Sequence, residues 1–240
     1  MKKTAFVLFC LFILTSFSSF AFQGDLDQGI YELNRGNFKA AINELEPLVA
    51  QEYSPAQYQM AIIYLNGYGV KKDPNKAFEL LSLSASQNHP GALFSLSLMY
   101  SEGKVVEKDL KTAFALMERS AIRNLVTAQF NLGVMYFNGQ GTHTDYKKAA
   151  RWYKTAAKQN YALAQFNLAL MYFEGLGVEK SIKMSYVWNI IAASNGYEQA
   201  GKSRDMDALK LNNVEISQAR EKADRLYKQF IEQEELKAKQ

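Results

Sequence analysis

The stretch Ala128-Gln129-Phe130-Asn131-Leu132-Gly133-Val134-Met135-Tyr136 returns 36 residues later as Ala164-Gln165-Phe166-Asn167-Leu168-Ala169-Leu170-Met171-Tyr172. Less similar copies begin at Ala56 and Ala92, and Ala200 continues the same spacing. A fixed period of this length is typical of repeat proteins, whose units stack on their neighbours. It also argues against an enzyme, because repeat arrays present surfaces more often than they enclose pockets.

Each copy contains the signals of two helices joined by a short loop. In the first copy, the pattern predicts a helix from Ala56 to Asn66 that ends at Gly67, where glycine adopts a positive φ at low cost. Asp73 then suits the N-cap of a second helix, with Pro74 at its first position. The equivalent residues are Gly103, Gly139 and Gly175 for the glycine, and Asp109, Asp145 and Ser181 for the cap. One such pair cannot bury both of its faces, so we expect an all-α, right-handed α-solenoid of about a dozen helices.

The first 21 residues have the pattern of a secretory signal peptide. Lys2 and Lys3 precede an apolar stretch over residues 5–14, and Ser19-Phe20-Ala21 ends in small residues that a signal peptidase accepts. The alternative is an uncleaved anchor, for which the apolar stretch is short. The sequence therefore predicts a protein that is exported, to the periplasm or outside the cell.

Composition excludes several classes of function for the exported chain. Cys10 is the single cysteine and lies inside the leader, so the mature protein has no disulfide and no thiolate metal site. Removing Lys2 and Lys3 lowers the formal charge from +4 to +2, and no basic block remains. This balance argues against nucleic acid as a partner. No later segment is apolar enough to span a bilayer, so we expect no stable membrane insertion after cleavage.

The consensus A-x-x-x-L-G-x-x-Y-x-x-G-x-G-V-x-x-D-x-x-K-A-x-x-W-Y-x-x-A-A resembles the Sel1-like repeat, a relative of the tetratricopeptide repeat. The 36-residue period distinguishes it from the 34-residue tetratricopeptide unit. The Gly-x-Gly loops do so too, at residues 67–69, 139–141 and 175–177. Val105 replaces the second glycine in the second copy, so we expect that loop to differ. The resemblance implies a scaffold that holds other proteins, and exported bacterial members look like assembly factors, regulators or host-interaction proteins.

The predicted organisation has four parts. Residues 1–21 are the signal peptide, and residues 22–55 form a tetratricopeptide-like helix pair. In that pair Asn37 caps the second helix, and Pro47 bends this helix or ends it early. Residues 56–199 are the four Sel1-like repeats, and residues 200–240 form a C-terminal capping helix with a polar tail.

No catalytic, cofactor-binding or metal-binding residues are predicted. His89 and His143, the two histidines, fall in loops at different repeat positions, so we interpret both as solvated loop residues. The chain has no nucleophile elbow and no phosphate-binding loop. The repeated aromatic residues and Met99, Met135 and Met171 are interpreted as packing between repeats.

A polar row on the first helices is the candidate site for a protein or peptide partner. At about 100° per residue, two positions fall to one side of the apolar stripe. They read Gln59, Ser95, Asn131 and Asn167, and Asn66, Glu102, Asn138 and Glu174. Amides suit an extended peptide because each both donates and accepts hydrogen bonds. The alternative is that these residues solvate an inner wall and finish helix ends.

The sequence therefore predicts an exported, non-enzymatic scaffold or adaptor that binds a protein partner and regulates or assembles an envelope complex. The alternative function is binding of a cell-wall or polysaccharide ligand. That function needs exposed aromatic side chains, and both tryptophans, Trp152 and Trp188, fall in second helices.

Overall fold

A computed structural model of the protein describes residues 24–238, which form twelve α-helices and no strand. The helices are α1 (Leu26–Asn34), α2 (Phe38–Ala50), α3 (Ser54–Asn66), α4 (Pro74–Ser86), α5 (Pro90–Glu102), α6 (Leu110–Ile122), α7 (Val126–Asn138), α8 (Tyr146–Ala157), α9 (Ala162–Glu174), α10 (Ile182–Ser194), α11 (Glu198–Ala208) and α12 (Asn213–Ala238). Each helix packs mainly on its neighbours in the chain, and α12 packs on α10. The predicted α-solenoid is confirmed, and the predicted signal peptide lies outside the described residues.

Loop residues end and restart the helices as predicted. Gly67, Gly103, Gly139 and Gly175 end the first helices with φ between 69° and 76°. Asp73 accepts hydrogen bonds from the backbone N–H groups of Asn75 and Lys76 at 3.1 and 3.0 Å. Asp109, Asp145 and Ser181 cap α6, α8 and α10 in the same way. Each cap stabilises its helix by about 1 kcal/mol.

Small buried residues allow the repeats to approach closely. Ala56, Ala92, Ala128, Ala164 and Ala200 are all fully buried, one in each successive first helix. Aromatic pairs also join one repeat to the next. The rings of Phe78 and Tyr100 are 6.1 Å apart, and those of Phe114 and Tyr136 are 5.2 Å apart.

The N-terminal pair excludes one of two predicted alternatives and corrects one prediction. Pro47 lies inside α2, which continues to Ala50, so the proline does not end this helix early. Asn37 occupies the N-cap position but its side chain makes no capping bond. It donates instead to Glu32 Oε2 at 2.6 Å, across the turn from α1. Competition from this nearby carboxylate is the physical reason for the missing cap.

The C-terminal part contains one helix more than predicted. Residues 198–208 form α11, which takes the place of a fifth first helix and packs on α10. Its sequence is mostly polar, so apolar periodicity gave little sign of it. The helix α12 buries Ala219, Ala223 and Phe230 and continues to Ala238, into the segment predicted as a polar tail.

The loop of the second repeat differs from the others, as expected from Val105. Gly69, Gly141 and Gly177 have φ of 70°, 72° and 67°, whereas Val105 does not have a positive φ. A β-branched residue strongly disfavours that region because its Cβ substituents meet the backbone. The backbone of this loop therefore has a different conformation at position 105.

Candidate partner-binding groove

The structure places all eight candidate residues on first helices. Gln59, Ser95, Asn131 and Asn167 lie within α3, α5, α7 and α9 and are partly exposed. Asn66, Glu102, Asn138 and Glu174 are the last residues of the same four helices and are exposed. Each of the four first helices therefore carries one candidate in its interior and one at its C-terminal end.

Some of these side chains already bond within their own repeat. Asn131 Nδ2 donates to the carbonyl of Thr127 at 2.7 Å, and Asn66 Nδ2 donates to the carbonyl of Ile62 at 2.8 Å. Glu102 pairs with Lys104 at 3.1 Å. Asn66 and Glu102 make these contacts at helix ends, whereas Asn131 bonds within α7. Each amide oxygen remains available as an acceptor.

Three of the eight meet in one place. Asn138, Asn167 and Glu174 line a pocket of about 410 Å³ between α7 and α9. A second pocket of about 260 Å³ lies between α9 and α11 and shares Leu170 and Glu174 with the first. We call these adjoining pockets the first-helix groove. The remaining five candidates do not line it.

The groove combines polar rims with exposed apolar walls. The first pocket adds Val134, Phe137, Tyr153, Leu170, Met171 and Leu176 to the three candidates. Burial raises the pKa of its Tyr153 to about 12, so this phenol stays protonated at neutral pH. Leu170 is 41% exposed and Met206, in the second pocket, is 61% exposed. Exposed apolar surface rimmed by polar groups is a common feature of interaction sites.

A polar cluster that the sequence interpretation did not identify forms the floor of the second pocket. Asp207 is buried and accepts hydrogen bonds from Ser185 Oγ at 2.7 Å and from Asn189 Nδ2 at 2.9 Å. Burial raises the pKa of Asp207, although these two hydrogen bonds and nearby Lys210 oppose the shift. The replacement of alanine by Ser185 in the fourth copy was the available sequence signal.

Buried glutamines are a second feature that the interpretation missed. Gln57, Gln129 and Gln165 lie at one repeat position and are almost completely buried. Their partners Gln87, Gln159 and Asn195 stand 30 residues later and bond to them side chain to side chain. The sequence signal for these bonds was a glutamine that recurs at the same repeat position within a mainly apolar segment. These amides join helices and do not face the groove.

The histidine prediction needs one correction. His89 is the N-cap of α5, where its Nδ1 accepts a hydrogen bond from the backbone N–H of Ala92 at 3.2 Å. Its ring also packs on Tyr58 at 4.6 Å, and burial lowers the pKa of the imidazole. The reason is its packing on α3, which the sequence of the loop does not show. His143 is exposed.

Other observations concern the alternative ligands. Trp188 is 3% exposed and cannot present its face to a sugar, whereas Trp152 is partly exposed. Between residues 24 and 238, no three His, Cys, Asp or Glu side chains gather as metal ligands. None of the helices formed by the described residues has the length and apolarity to cross a bilayer.

Two solved structures are similar to this chain. A Sel1 repeat protein from Oxalobacter formigenes has 28% identity over 73% of this chain and 72% of that chain, with a TM-score of 0.69. The protein c5321, a protective antigen present in uropathogenic Escherichia coli strains, displays an SLR fold and has 29% identity and a TM-score of 0.74. That match covers 86% of this chain but 44% of c5321, so the chain spans less than half of the larger protein. A search of curated protein sequences found no significant match.

The sequence profile of the Sel1 repeat matches four consecutive segments. They are residues 54–89, 90–125, 126–161 and 162–197, so each copy begins two residues before the alanines used above as its start. The segments correspond to the helix pairs α3–α4, α5–α6, α7–α8 and α9–α10. Because the matches cover more than half of the chain and follow its helix pairs, the protein belongs to the Sel1 repeat family.

Proposed function

We propose that this protein is an exported, non-enzymatic scaffold that holds a segment of a partner protein in the first-helix groove. Sel1 repeat proteins generally act as scaffolds for protein–protein interaction. The observation that supports the groove is the alternation of exposed Leu170 and Met206 with Asn138, Asn167 and Glu174 along successive first helices. The secretory pattern of residues 1–21 supports a location in the cell envelope, and we propose that the scaffold regulates or assembles a complex there.

The groove has the chemistry that an extended segment requires. Such a segment presents alternating backbone N–H and C=O groups, which amide side chains such as Asn138 and Asn167 can satisfy. Its side chains alternate between the two sides, so some of them can enter the apolar pockets beside Leu170. Binding energy would come from the apolar contacts, and the polar row would set the register of the segment.

Replacing Asn138 and Asn167 together by alanine is expected to weaken partner binding at least about tenfold, equivalent to about 1.4 kcal/mol, because both side chains line the groove. We expect thermal stability to change little, because Asn138 is exposed and Asn167 is partly exposed. The protein from residue 22 onward is displayed on beads and exposed to a cell-envelope extract. Proteins retained above a bead-only control are then identified and quantified for the wild type and the double variant.

A matched control removes two exposed amides away from the groove, Asn75→Ala in α4 and Gln229→Ala in α12. This control should retain the partner at the wild-type level. Equal retention by the Asn138/Asn167 variant would remove these amides from the proposed site. If cell-wall sacculi retain the wild type and no protein does, the glycan-binding alternative replaces the scaffold.

A further inference from the structure

Three core positions of the repeat become polar where α9, α10 and α11 meet. Comparison of the copies shows Ala77, Ala113 and Ala149 against Ser185, then Leu81, Met117 and Tyr153 against Asn189, and Ile63, Met99, Met135 and Met171 against Asp207. The earlier copies bury mainly apolar side chains at these positions. The three polar side chains also bond to one another, which makes them a single unit.

This unit has hydrogen-bonding capacity that the protein does not satisfy. Both donors, Ser185 Oγ and Asn189 Nδ2, bond to Asp207 Oδ2. Asn189 is 1% exposed, and its Oδ1 is buried without a partner among the described residues. Asp207, 2% exposed, has no hydrogen bond to its Oδ1 from residues 24–238. All three side chains line the 260 Å³ pocket of the first-helix groove.

A buried acceptor without a partner, such as Asn189 Oδ1, is costly to stability, and native proteins keep such groups mainly where they serve a function. Apolar residues at the same positions satisfy the packing of three earlier repeats, so the fold itself does not require polar groups there. The two open acceptors, Asn189 Oδ1 and Asp207 Oδ1, call for a ligand that donates several hydrogen bonds. The carboxylate calls for that ligand to be a cation.

We infer that this pocket binds the side-chain ammonium group of a lysine from the partner segment, which rests on the function proposed above. An ammonium group has three N–H donors, which can serve both open acceptors. The walls formed by Leu170, Phe173 and Met206 would cover its methylene stem. A pocket of this volume is smaller than a typical small-molecule site and suits one side chain.

The charges around the pocket agree with a lysine. Glu174 adds a second carboxylate to the lining, while Lys202 is the one basic residue of the lining. Lys210 lies with its Nζ 4.1 Å from the centre of the Phe173 ring and is not part of the lining. Arginine is less suited, because its fork binds both oxygens of a carboxylate and Asp207 Oδ2 is already occupied.

The test compares three blocked pentapeptides that differ at the central residue, with lysine, norleucine or arginine between two pairs of alanines. Each is titrated into the ¹⁵N-labelled protein to about 10 mM, which detects millimolar dissociation constants, and the side-chain amide of Asn189 is followed by NMR. We expect the lysine peptide to shift this signal and to bind about tenfold more tightly than the norleucine peptide. Asp207→Asn should remove that preference.

The Asp207→Asn variant keeps the shape of the side chain and an oxygen that can accept from Ser185 and Asn189. Because burial raises the pKa of Asp207 in the folded state, its ionisation opposes folding as the pH rises through that pKa. Asp207→Asn has no carboxyl group to ionise, so its Tm at pH 7 should be equal to or above that of the wild type. At a pH below about 3.9, the ordinary pKa of aspartate, the difference should vanish.

If Asp207→Asn fails to fold, the variant that restores repeat residues at all three positions takes its place: Ser185→Ala, Asn189→Leu and Asp207→Met. Equal binding of the lysine and norleucine peptides, or no shift at Asn189, would overturn the lysine pocket. A partner captured equally by the wild type and by either variant would also overturn it while leaving the scaffold function intact. Capture of no partner by the wild type would instead count against the scaffold function.

Discussion

Replacing Gly177 by alanine is expected to lower the free energy of unfolding by more than about 3 kcal/mol. Its φ of 67° is costly for any residue with a Cβ. A Cβ there would also lie 2.1 Å from the carbonyl oxygen of Tyr146 and 2.7 Å from the backbone nitrogen of Lys147. These atoms belong to the start of α8 in the preceding repeat and cannot rotate aside. The substitution would therefore force the two repeats apart.

Urea unfolding followed by circular dichroism measures this effect, and Gly196→Ala is the matched control. Gly196 has a similar φ of 83°, but a Cβ there would meet no atom within 4 Å. The control should therefore cost only about 1 kcal/mol, from the backbone conformation alone. Equal losses in both variants would show that backbone conformation, and not contact between repeats, explains the glycine in this loop.

Replacing Gln129 by leucine is expected to cost about 2–3 kcal/mol, although leucine matches the volume of the site. Gln129 Nε2 donates to the carbonyl of Ala121 at 3.2 Å and to Asn124 Oδ1 at 3.0 Å. Its Oε1 accepts from Gln159 Nε2 at 2.6 Å. Leucine would remove these three hydrogen bonds, and each bond contributes about 0.5–1.5 kcal/mol net, so their combined loss exceeds the gain in apolar contact.

The second repeat shows how such a loss is compensated. Leu93 stands at the glutamine position there, and Arg119 supplies the donor from another place. Its Nη2 donates to the carbonyl of Ala85 at 3.3 Å and to Asn88 Oδ1 at 2.9 Å. These acceptors are equivalent to those that Gln129 serves one repeat later. Position 155 of the third repeat corresponds to Arg119.

Adding Thr155→Arg to Gln129→Leu should therefore recover about 1 kcal/mol of the lost stability. Thr155 is exposed, so the larger side chain has room. A double-mutant cycle measured by urea unfolding isolates the coupling, and Thr155→Arg alone should have little effect. Absence of coupling would mean that Arg119 is a surface contact and that Leu93 is tolerated for another reason.

Much of the fold could be predicted from the chain because the signals are local and repeated. Gly67 and Asp73 act on their own backbone neighbours, so their roles in ending and starting helices can be inferred wherever they recur. Where a signal depended on a partner on another helix, the prediction was wrong. Asn37 bonds to Glu32 of α1 instead of capping α2, and His89 packs on Tyr58 of α3.

The candidate groove could be predicted only in part. The helical period placed the polar positions on first helices, and three of them, Asn138, Asn167 and Glu174, line the groove together. The pocket floor was not foreseen, because Asp207 belongs to α11, whose polar sequence shows no clear repeat phrase. Asp207 can be recognised as the repeat equivalent of Met171 only once the structure shows that α11 stands where a first helix would.

The 36-residue repeat, with its glycines, caps and alanines, by itself determined that this protein is a stack of helix pairs. It did so because those residues act over a few positions of backbone or at one repeated contact. Only the tertiary structure decided that Gly177 must lack a Cβ, that Gln129 bonds across helices, and that Ser185, Asn189 and Asp207 share one pocket. The physical reason is that each depends on which atoms of another helix lie within a few ångströms, and a linear pattern does not record that distance.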